Sequence, residues 1–413
     1  MRILIYGINF TPELTGIGKY TGELAQFLAQ HSHQIRVITA PPYYPHWKIM
    51  SPNSGWRYKR EQMDGIQVFR CPIWVPVKPS GLNRILHLAS FGLSSMPVML
   101  SQIHWKPDIV ICIAPAIFCA PAAWITARFS RAQAWLHIQD FELEAAVNLK
   151  FLPGSGFLVS MLRKIEAVLL QRFDIVSTIS QRMLQRLWQK GVPDQKTYLL
   201  PNWVDCKVIF PLSRPSLMRD EIGAAPDQIV ILYSGNLGKK QGLELLIAAA
   251  HALQNETSLL FVICGNGSAR SYLEKQAENS PNIRFMDLKP IEQLNELLNA
   301  ADVHVLVQRA ETADLVMPSK LSGMLASGRP VIATATYGTE LATVIEETGV
   351  LVPPENLLRL AQAILSLAQD ASRREHLGKL GLQFVLTHWE KELVLEGLLS
   401  KLRYNTVRKS FKE

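Results

Sequence analysis

Cysteine is scarce in this chain, and none of it is spaced for cross-linking. The 413 residues include five cysteines, namely Cys71, Cys112, Cys119, Cys206 and Cys264. The number is odd and the sequence has no CxxC pair. A disulfide framework or a zinc site needs paired spacing, so neither is indicated, and a reducing compartment fits best.

Long apolar runs are also few. The first residues lack the apolar core and cleavage site of a signal peptide, so we expect a buried strand there. Two uncharged stretches, residues 85–105 and 109–127, approach membrane-spanning length. The second contains Pro115 and Pro121 after a β-branched run, which favours a strand, a loop and a buried helix. The first is too polar for lipid burial, but it fits a helix lying on a membrane surface.

Charge is sparse and unevenly distributed. Charged residues make up 19% and hydrophobic residues 48% of the chain, which excludes disorder, collagen and coiled coil. The net charge of +8 divides into +10 for residues 1–200 and −2 for the remainder. A cationic half indicates a polyanionic partner, either nucleic acid or a membrane. Because no nucleic-acid motif accompanies the charge, the sequence favours an anionic membrane surface and no nucleic acid.

Short apolar runs alternate with helical patterns in both halves, which predicts two α/β domains with parallel, doubly wound sheets. The runs of the first half are 3–8, 35–39, 66–70, 109–113, 134–138 and 175–179. Those of the second half are 229–233, 259–264, 283–286, 303–307 and 331–333. We expect one domain over residues 1–204, joined by a final helix at 389–413, and another over 205–388. Ligands should bind at the carboxyl ends of the strands.

Glycine-rich turns follow the first strand of each predicted domain. Gly16 and Gly18 precede the first helix, where backbone amides can approach an anion, although an ordinary strand-to-helix turn fits equally. In the second domain, Gly235, Asn236 and Gly238 lead to Lys239, with an exposed lysine pair as the alternative. Gly265 and Gly267 repeat the turn after the next strand. These turns indicate phosphate binding.

The segment 314–330 combines a helix start with a cation. Ser319 is expected to cap a helix whose first turn carries Lys320, and Gly328 is expected to end it. A helix start with a lysine is suited to a diphosphate, although an ordinary capped helix explains the pattern too.

His137 and Asp140 lie at the end of a predicted strand, where doubly wound domains place reactive side chains. His137 offers a hydrogen bond or proton transfer, and Asp140 offers an acceptor. A histidine satisfied within the core is the alternative. Asp140 and Glu142 are too few carboxylates for a metal site, so we assign no metal.

Together these segments resemble the retaining family-4 glycosyltransferases of GT-B architecture, in particular those of bacterial exopolysaccharide clusters. The resemblance is carried by residues 16–20, 137–142, 200–205, 235–242 and 318–330. It implies two Rossmann-like domains facing across a cleft and transfer of a sugar from a nucleotide-diphosphate donor to an acceptor hydroxyl. Retention at the anomeric carbon and independence from metals and cofactors are implied as well.

The resemblance also implies roles for the residues singled out above. His137 and Asp140 would be catalytic, and Gly16 and Gly18 would bind the acceptor. The donor would be bound by Gly235, Asn236, Gly238, Lys239, Gly265, Gly267, Asp314, Ser319 and Lys320.

The chain departs from the family pattern at four positions, which hold Asn236, Gln241, Leu315 and Gly323. The last two replace a pair of glutamates, one of which commonly holds the donor ribose. Asp314, Lys239 and Lys320 are nearby candidates for the lost charges. A GT-B-like epimerase or a degenerate nucleotide-sugar-binding protein is therefore the alternative function.

The acceptor is expected to be a saccharide, in particular one linked to a polyprenyl lipid. The protein is then expected in the cytoplasm, associated peripherally with the inner membrane.

Overall fold

The computed structural model describes residues 1–13, 16–77, 81–113, 116–141, 156–238, 241–310 and 317–410. The chain divides into two compact units. The first ends at Asn202 and is joined by the chain from Leu395 onward, and the second runs from Trp203 to Val394. The sequence analysis places these two breaks at 204/205 and 388/389.

The first unit contains, within the described residues, an eight-stranded sheet of order β3-β4-β2-β1-β5-β6-β7-β8. Only β3 runs antiparallel to its neighbour. β5 buries all five of its residues, as expected of a parallel strand covered by helices on both faces. The strands are β1 Arg2–Tyr6, β2 Gln34–Thr39, β3 Lys59–Met63, β4 Ile66–Arg70, β5 Ile109–Ile113, β6 Gln133–Ile138, β7 Ile175–Thr178 and β8 Thr197–Leu199.

The helices of the first unit lie on both faces of this sheet. They are α1 Ile17–Gln30, α2 Gly81–Ser101, α3 Ala116–Ser130, α4 Phe157–Arg172 and α5 Gln181–Gln189. The chain passes from β1 to β2 and β4 in one direction along the sheet, then from β4 through β5 and β6 to β7 in the other. Right-handed crossovers therefore put α1 on one face and α2, α3 and α4 on the other. α3 packs against both α2 and α4.

The second unit contains, among the described residues, a six-stranded parallel sheet of order β11-β10-β9-β12-β13-β14. Its strands are β9 Ile229–Ser234, β10 Leu259–Cys264, β11 Ile283–Met286, β12 Val303–Leu306, β13 Val331–Thr334 and β14 Val350–Val352. Its helices are α6 Met218–Ile222, α7 Glu244–Ala252, α8 Arg270–Gln276, α9 Ile291–Ala300, α10 Lys320–Ala326, α11 Glu340–Thr348, α12 Leu357–Gln369 and α13 Ala371–His388. The last helix, α14 Lys391–Ser410, begins in the second unit and ends in the first.

Side-chain caps define where three helices of the second unit begin. Thr339, Asn356 and Asp370 each accept a hydrogen bond from the backbone N–H three residues further on, at 2.8–3.2 Å. Such caps satisfy N–H groups that have no partner within the helix.

The prediction of two parallel α/β sheets is confirmed, but it missed three strands. β3 has the sequence KREQM and lies at a sheet edge, where exposed charged side chains hide any apolar alternation. β8 and β14 have only three residues each and also lie at edges. The two long uncharged stretches fall on α2 and on β5 with α3. In the described part of the chain, no helix is long and apolar enough to cross a bilayer.

Candidate functional site

Two glycine loops meet at the carboxyl ends of β9 and β10. The backbone N–H of Gly235 donates to the Cys264 carbonyl at 2.9 Å, and that of Leu237 donates to the Asn266 carbonyl at 2.9 Å. Gly265 has a φ of 153°. These bonds join the loop after β9 to the loop after β10, so the two form one backbone surface.

Glycine is required where these loops touch. A Cβ on Gly265 would lie 1.8 Å from the Gly235 carbonyl oxygen, and one on Gly267 would lie 2.5 Å from the Leu237 carbonyl oxygen. Both distances are far inside van der Waals contact with backbone atoms, which cannot move aside as a side chain can. The glycines in the sequence thus have a packing role, whatever ligand the loops bind.

Lys320 points its ammonium group at this surface. Its Nζ donates to the Tyr233 hydroxyl at 2.6 Å and lies 4.1 Å from the centroid of the Tyr233 ring. The tyrosine hydroxyl in turn donates to the Asn236 carbonyl at 2.8 Å. A Cβ on Gly235 would be 3.1 Å from Nζ. Tyr233 therefore holds the lysine against the first glycine loop.

Burial lowers the pKa of Lys320 to about 7. Among the described residues, no carboxylate offsets the charge of this ammonium. A desolvated cation without a counter-charge gains free energy when an anion binds beside it. The arrangement is therefore suited to a phosphate or diphosphate ligand.

Most of the predicted donor-binding residues lie together around these loops. Gly235, Asn236, Gly238, Gly265 and Gly267 belong to the two loops, with Lys320 against the first. Lys239 and Asp314 lie outside the described residues.

The predicted cap at Ser319 is wrong. Ser319 precedes α10, but its φ of −60° and ψ of −21° are helical, and its side chain makes no capping bond. A capping side chain needs extended backbone geometry to reach the free N–H groups. The Ser319 carbonyl accepts from the Ser322 hydroxyl at 3.0 Å instead. Gly328, with φ 69°, follows the end of the helix as predicted.

Sequence reasoning missed Tyr233 and Gln241 near this surface. A tyrosine at the end of a buried strand has no local feature that separates it from a core residue. The Gln241 side-chain Oε1 is buried and has no hydrogen-bond partner among the described residues. It lies 2.7 Å from the position of a Cβ on Gly238. Gln241 is one of the four positions at which the chain departs from the family pattern, and that departure was the available signal.

His137 is enclosed in a hydrogen-bond chain at the end of β6. Its Nδ1 lies 2.9 Å from the Ser177 hydroxyl, and the Gln139 amide nitrogen lies 2.9 Å from its Nε2. That amide also donates to Asn202 Oδ1 at 3.1 Å. Because an amide nitrogen only donates, His137 accepts at Nε2 and donates from Nδ1.

Burial lowers the pKa of His137 to about 4, so the ring is neutral. Both ring nitrogens have partners inside the unit, which fits the alternative of a histidine satisfied in the core. The catalytic roles of His137 and Asp140 stay predictions. Asp140 is half-buried after β6, and Glu142 lies outside the described residues.

A buried carboxylate organises the predicted acceptor turn, and sequence reasoning missed it. Glu13 is 2% exposed. Its Oε1 accepts from the backbone N–H groups of Tyr43 and Tyr44, both at 3.0 Å, and its Oε2 accepts from the Asn9 amide at 2.8 Å. Burial raises the pKa of Glu13, while these donors oppose the rise. Glu13 thus joins the loop after β1 to the loop after β2.

Gly16 and Gly18 lie against this carboxylate and its neighbours. A Cβ on Gly18 would be 2.7 Å from Glu13 Oε2, so Gly18 is needed for the carboxylate to fit. Gly16 has a φ of 62°, and a Cβ there would lie 3.6 Å from the ring of Tyr44, which is 38% exposed. Acceptor binding by the two glycines stays a prediction.

Two α/β units with largely parallel sheets define a class, the GT-B glycosyltransferases. Two family models match the chain: "Glycosyl transferase 4-like domain" over residues 15–203 and "Glycosyl transferases group 1" over residues 228–370. A protein of Escherichia coli K12 named as a colanic acid biosynthesis glycosyl transferase, WcaI, is 41% identical over 91% of this chain and 95% of its own length. The chain therefore belongs to this glycosyltransferase family.

Solved structures share the fold. Sucrose-phosphate synthase from Thermosynechococcus elongatus matches with a TM-score of 0.76 and 17% identity, covering 98% of this chain and 99% of that one. The Anabaena protein HepE, in complex with UDP-glucose, matches with a TM-score of 0.69 and 15% identity, covering 98% and 100%. At these identities the likeness concerns architecture alone.

Proposed function

We propose that this glycosyltransferase moves a sugar from a nucleotide-diphosphate donor to a saccharide acceptor during exopolysaccharide biosynthesis, with retention at the anomeric carbon. The observation that carries the proposal is the buried Lys320 ammonium against the glycine loops after β9 and β10. The name of the Escherichia coli relative and the UDP-glucose complex of HepE support it.

In the proposed reaction, the bond between the anomeric carbon and the diphosphate breaks, and its electron pair stays on the diphosphate. The acceptor oxygen bonds to the same carbon, and its proton passes to the departing diphosphate oxygen. Negative charge therefore grows on the diphosphate, where a preorganised ammonium and backbone N–H groups lower the barrier. Lys320 would supply charge that a divalent cation supplies elsewhere, so we expect transfer to continue in the presence of a chelator.

The acceptor is assigned to the first unit, next to the turn that Glu13 organises. The exposed Tyr44 ring beside Gly16 offers a surface on which a sugar could stack. We propose a polyprenyl-linked saccharide as acceptor, with the protein on the cytoplasmic side of an anionic inner membrane. The +10 charge of residues 1–200 supports this assignment.

A thermal-shift panel of UDP-, GDP-, ADP- and dTDP-sugars tests the donor site. We expect one nucleotide class to raise the melting temperature of the wild type, and Lys320→Met to weaken its binding about tenfold to 100-fold. Lys379→Met changes an exposed lysine of α13 and should bind the donor like the wild type. Unchanged affinity in Lys320→Met would contradict the proposal.

The alternative is a GT-B-like epimerase or a binding protein without turnover. This alternative is favoured by Gly323 of α10, because glycine has no side chain at a position where the family has a glutamate. Products formed from donor alone separate the alternatives. A hydrolysing epimerase consumes water and releases the free epimeric sugar and the nucleotide diphosphate without an acceptor, and a pure binder is stabilised by the donor but forms no product.

A further inference from the structure

The outer face of α4 carries a row of exposed apolar side chains. Phe157, Met161, Ile165 and Val168 are spaced by four, four and three residues, which places them on one side of the helix. Their exposed fractions lie between 40% and 87%. Single exposed apolar residues are ordinary, but a contiguous row indicates an interaction surface.

A second row lies on α2. Leu82, Leu86, Leu93 and Met96 are 37% to 70% exposed and also share one side of their helix. α3 packs between α2 and α4, and right-handed crossovers put the three helices on the same face of the first sheet. We call this surface, made of the two rows and the residues between them, the α2–α4 face.

The charges on the α2–α4 face have one sign. Arg128 on α3 and Lys164 and Arg172 on α4 are exposed, and the two α4 cations lie three or four residues from Met161 or Val168, on the side of the apolar row. The sequences of the three helices contain a single carboxylate, Glu166, which is buried and accepts a hydrogen bond from Lys190 at 2.5 Å. The exposed part of these helices therefore combines apolar and cationic groups.

Two exposed aromatic side chains precede β3, and one of them contacts α2. Tyr58 is 58% exposed, and its hydroxyl donates to the Ser94 carbonyl of α2 at 2.9 Å. Trp56, two residues earlier, is 77% exposed. Tryptophan and tyrosine favour the boundary between lipid headgroups and acyl chains because one end of each ring system is apolar and the other forms hydrogen bonds.

We propose that the α2–α4 face docks on an anionic lipid bilayer. The apolar rows enter the boundary between headgroups and acyl chains, and the three cations Arg128, Lys164 and Arg172 bind lipid phosphates. A bilayer supplies apolar depth and negative charge over one continuous surface, which matches the composition of this face. This proposal rests on the proposed function, which includes a membrane partner, and it adds which helices contact the membrane.

Vesicle flotation tests the docking. The wild type should bind vesicles of phosphatidylcholine mixed with phosphatidylglycerol, bind pure phosphatidylcholine weakly, and lose binding as salt rises. Ile165→Asp with Val168→Asp should lower the partition coefficient at least about tenfold. Lys164→Gln with Arg172→Gln, which keeps the apolar row, should lower it about fivefold for each charge.

The matched control changes two exposed leucines of the second unit, Leu358→Asp with Leu386→Asp, and should bind vesicles like the wild type. A melting curve of each variant checks that it is folded. Wild-type protein that ignores anionic vesicles, or α4 variants that bind them normally, would show the proposal to be wrong. Self-association through this face without vesicle binding would also overturn it. The assay contains no sugar donor, so its failure would leave the proposed transfer reaction standing.

Discussion

At the scale of single residues, Lys320 links ligand binding to protonation. Its folded-state pKa of about 7 lies well below the ordinary lysine value. Above that pH the ammonium loses its proton in the free protein. A bound diphosphate would favour the charged form and raise the pKa again. Binding above neutral pH should therefore take up a proton.

The donor identified by thermal shift is titrated into the protein in a calorimeter. We expect uptake of about one proton per bound donor at about pH 8 and of almost none at about pH 6. Donor affinity should fall by up to about tenfold per pH unit above the pKa of the free lysine. The measurement compares observed binding enthalpies in buffers of different ionisation enthalpy.

Lys320→Met is the decisive comparison, because it keeps the apolar stem and removes the titrating group. It should bind donor weakly and without the uptake. Lys379→Met, on the exposed surface of α13, should keep the wild-type profile. Proton uptake that persists in Lys320→Met would assign the titration to another group.

Single residues also mark the limit of what the sequence could predict. The pairing of glycine turns with Lys320 could be predicted, because strand-end turns of a doubly wound sheet meet at one edge. The Tyr233 contact and the Ser177 bond to His137 could not, because they depend on neighbouring strands. The backbone of Ser319 is helical, so its side chain does not cap α10, and the local sequence pattern does not reveal this.

At the scale of elements, parallel strands were predictable because burial on both faces selects unbroken β-branched runs, as in Ile109–Ile113. Edge strands escape this rule, and β3 is mostly charged. Contacts between loops escape it as well. Glu13 has no periodic signal, yet from the loop after β1 it accepts two hydrogen bonds from backbone N–H groups of the loop after β2.

Removing this carboxylate should loosen both loops. Glu13→Ala would remove the acceptor of three N–H groups, two of them in buried hydrogen bonds, so we expect the free energy of unfolding to fall by about 2–4 kcal/mol. Glu13→Gln keeps one oxygen for the two backbone N–H groups and should retain most of the stability. Chemical denaturation of both variants measures the difference, and hydrogen exchange at Tyr43 and Tyr44 locates it.

The pH dependence gives a second check on Glu13. Its folded-state pKa is raised by burial, so its contribution to stability is complete below the unfolded pKa and is lost as pH rises through the folded pKa. Glu13→Gln should abolish that loss. Glu375→Ala, at an exposed ion pair of α13, serves as the control and should leave the curve unchanged. If Glu13→Ala were as stable as the wild type, the hydrogen bonds of Glu13 would not stabilise the contact between the two loops.

At the scale of the whole molecule, buried neutral histidines occur in both units, with His137 in the first and His304 in the second. His304 lies in β12, and burial lowers its pKa to about 3. Ser327 donates its hydroxyl proton to the Met324 carbonyl, so it accepts from His304 Nε2 at 3.1 Å. The Nδ1 of His304 has no partner among the described residues. A second proton on either ring would therefore create a buried charge.

These two histidines predict how acid destabilises the protein. The folded pKa values, about 4 for His137 and about 3 for His304, lie below the unfolded value. Their contribution to the free energy of unfolding is thus present above pH of about 6.5 and is lost as pH falls toward the folded pKa values, by up to about 3 kcal/mol for each group.

Urea unfolding at about pH 7 and about pH 5 measures this loss of stability. His137→Gln should reduce the pH dependence of the first unit alone, where the buried His87 also has a lowered pKa, and His304→Gln should reduce that of the second alone. His376→Gln, on the exposed surface of α13, should change neither. If both buried-site variants kept the wild-type slope, other groups would be responsible for the acid sensitivity of the two units.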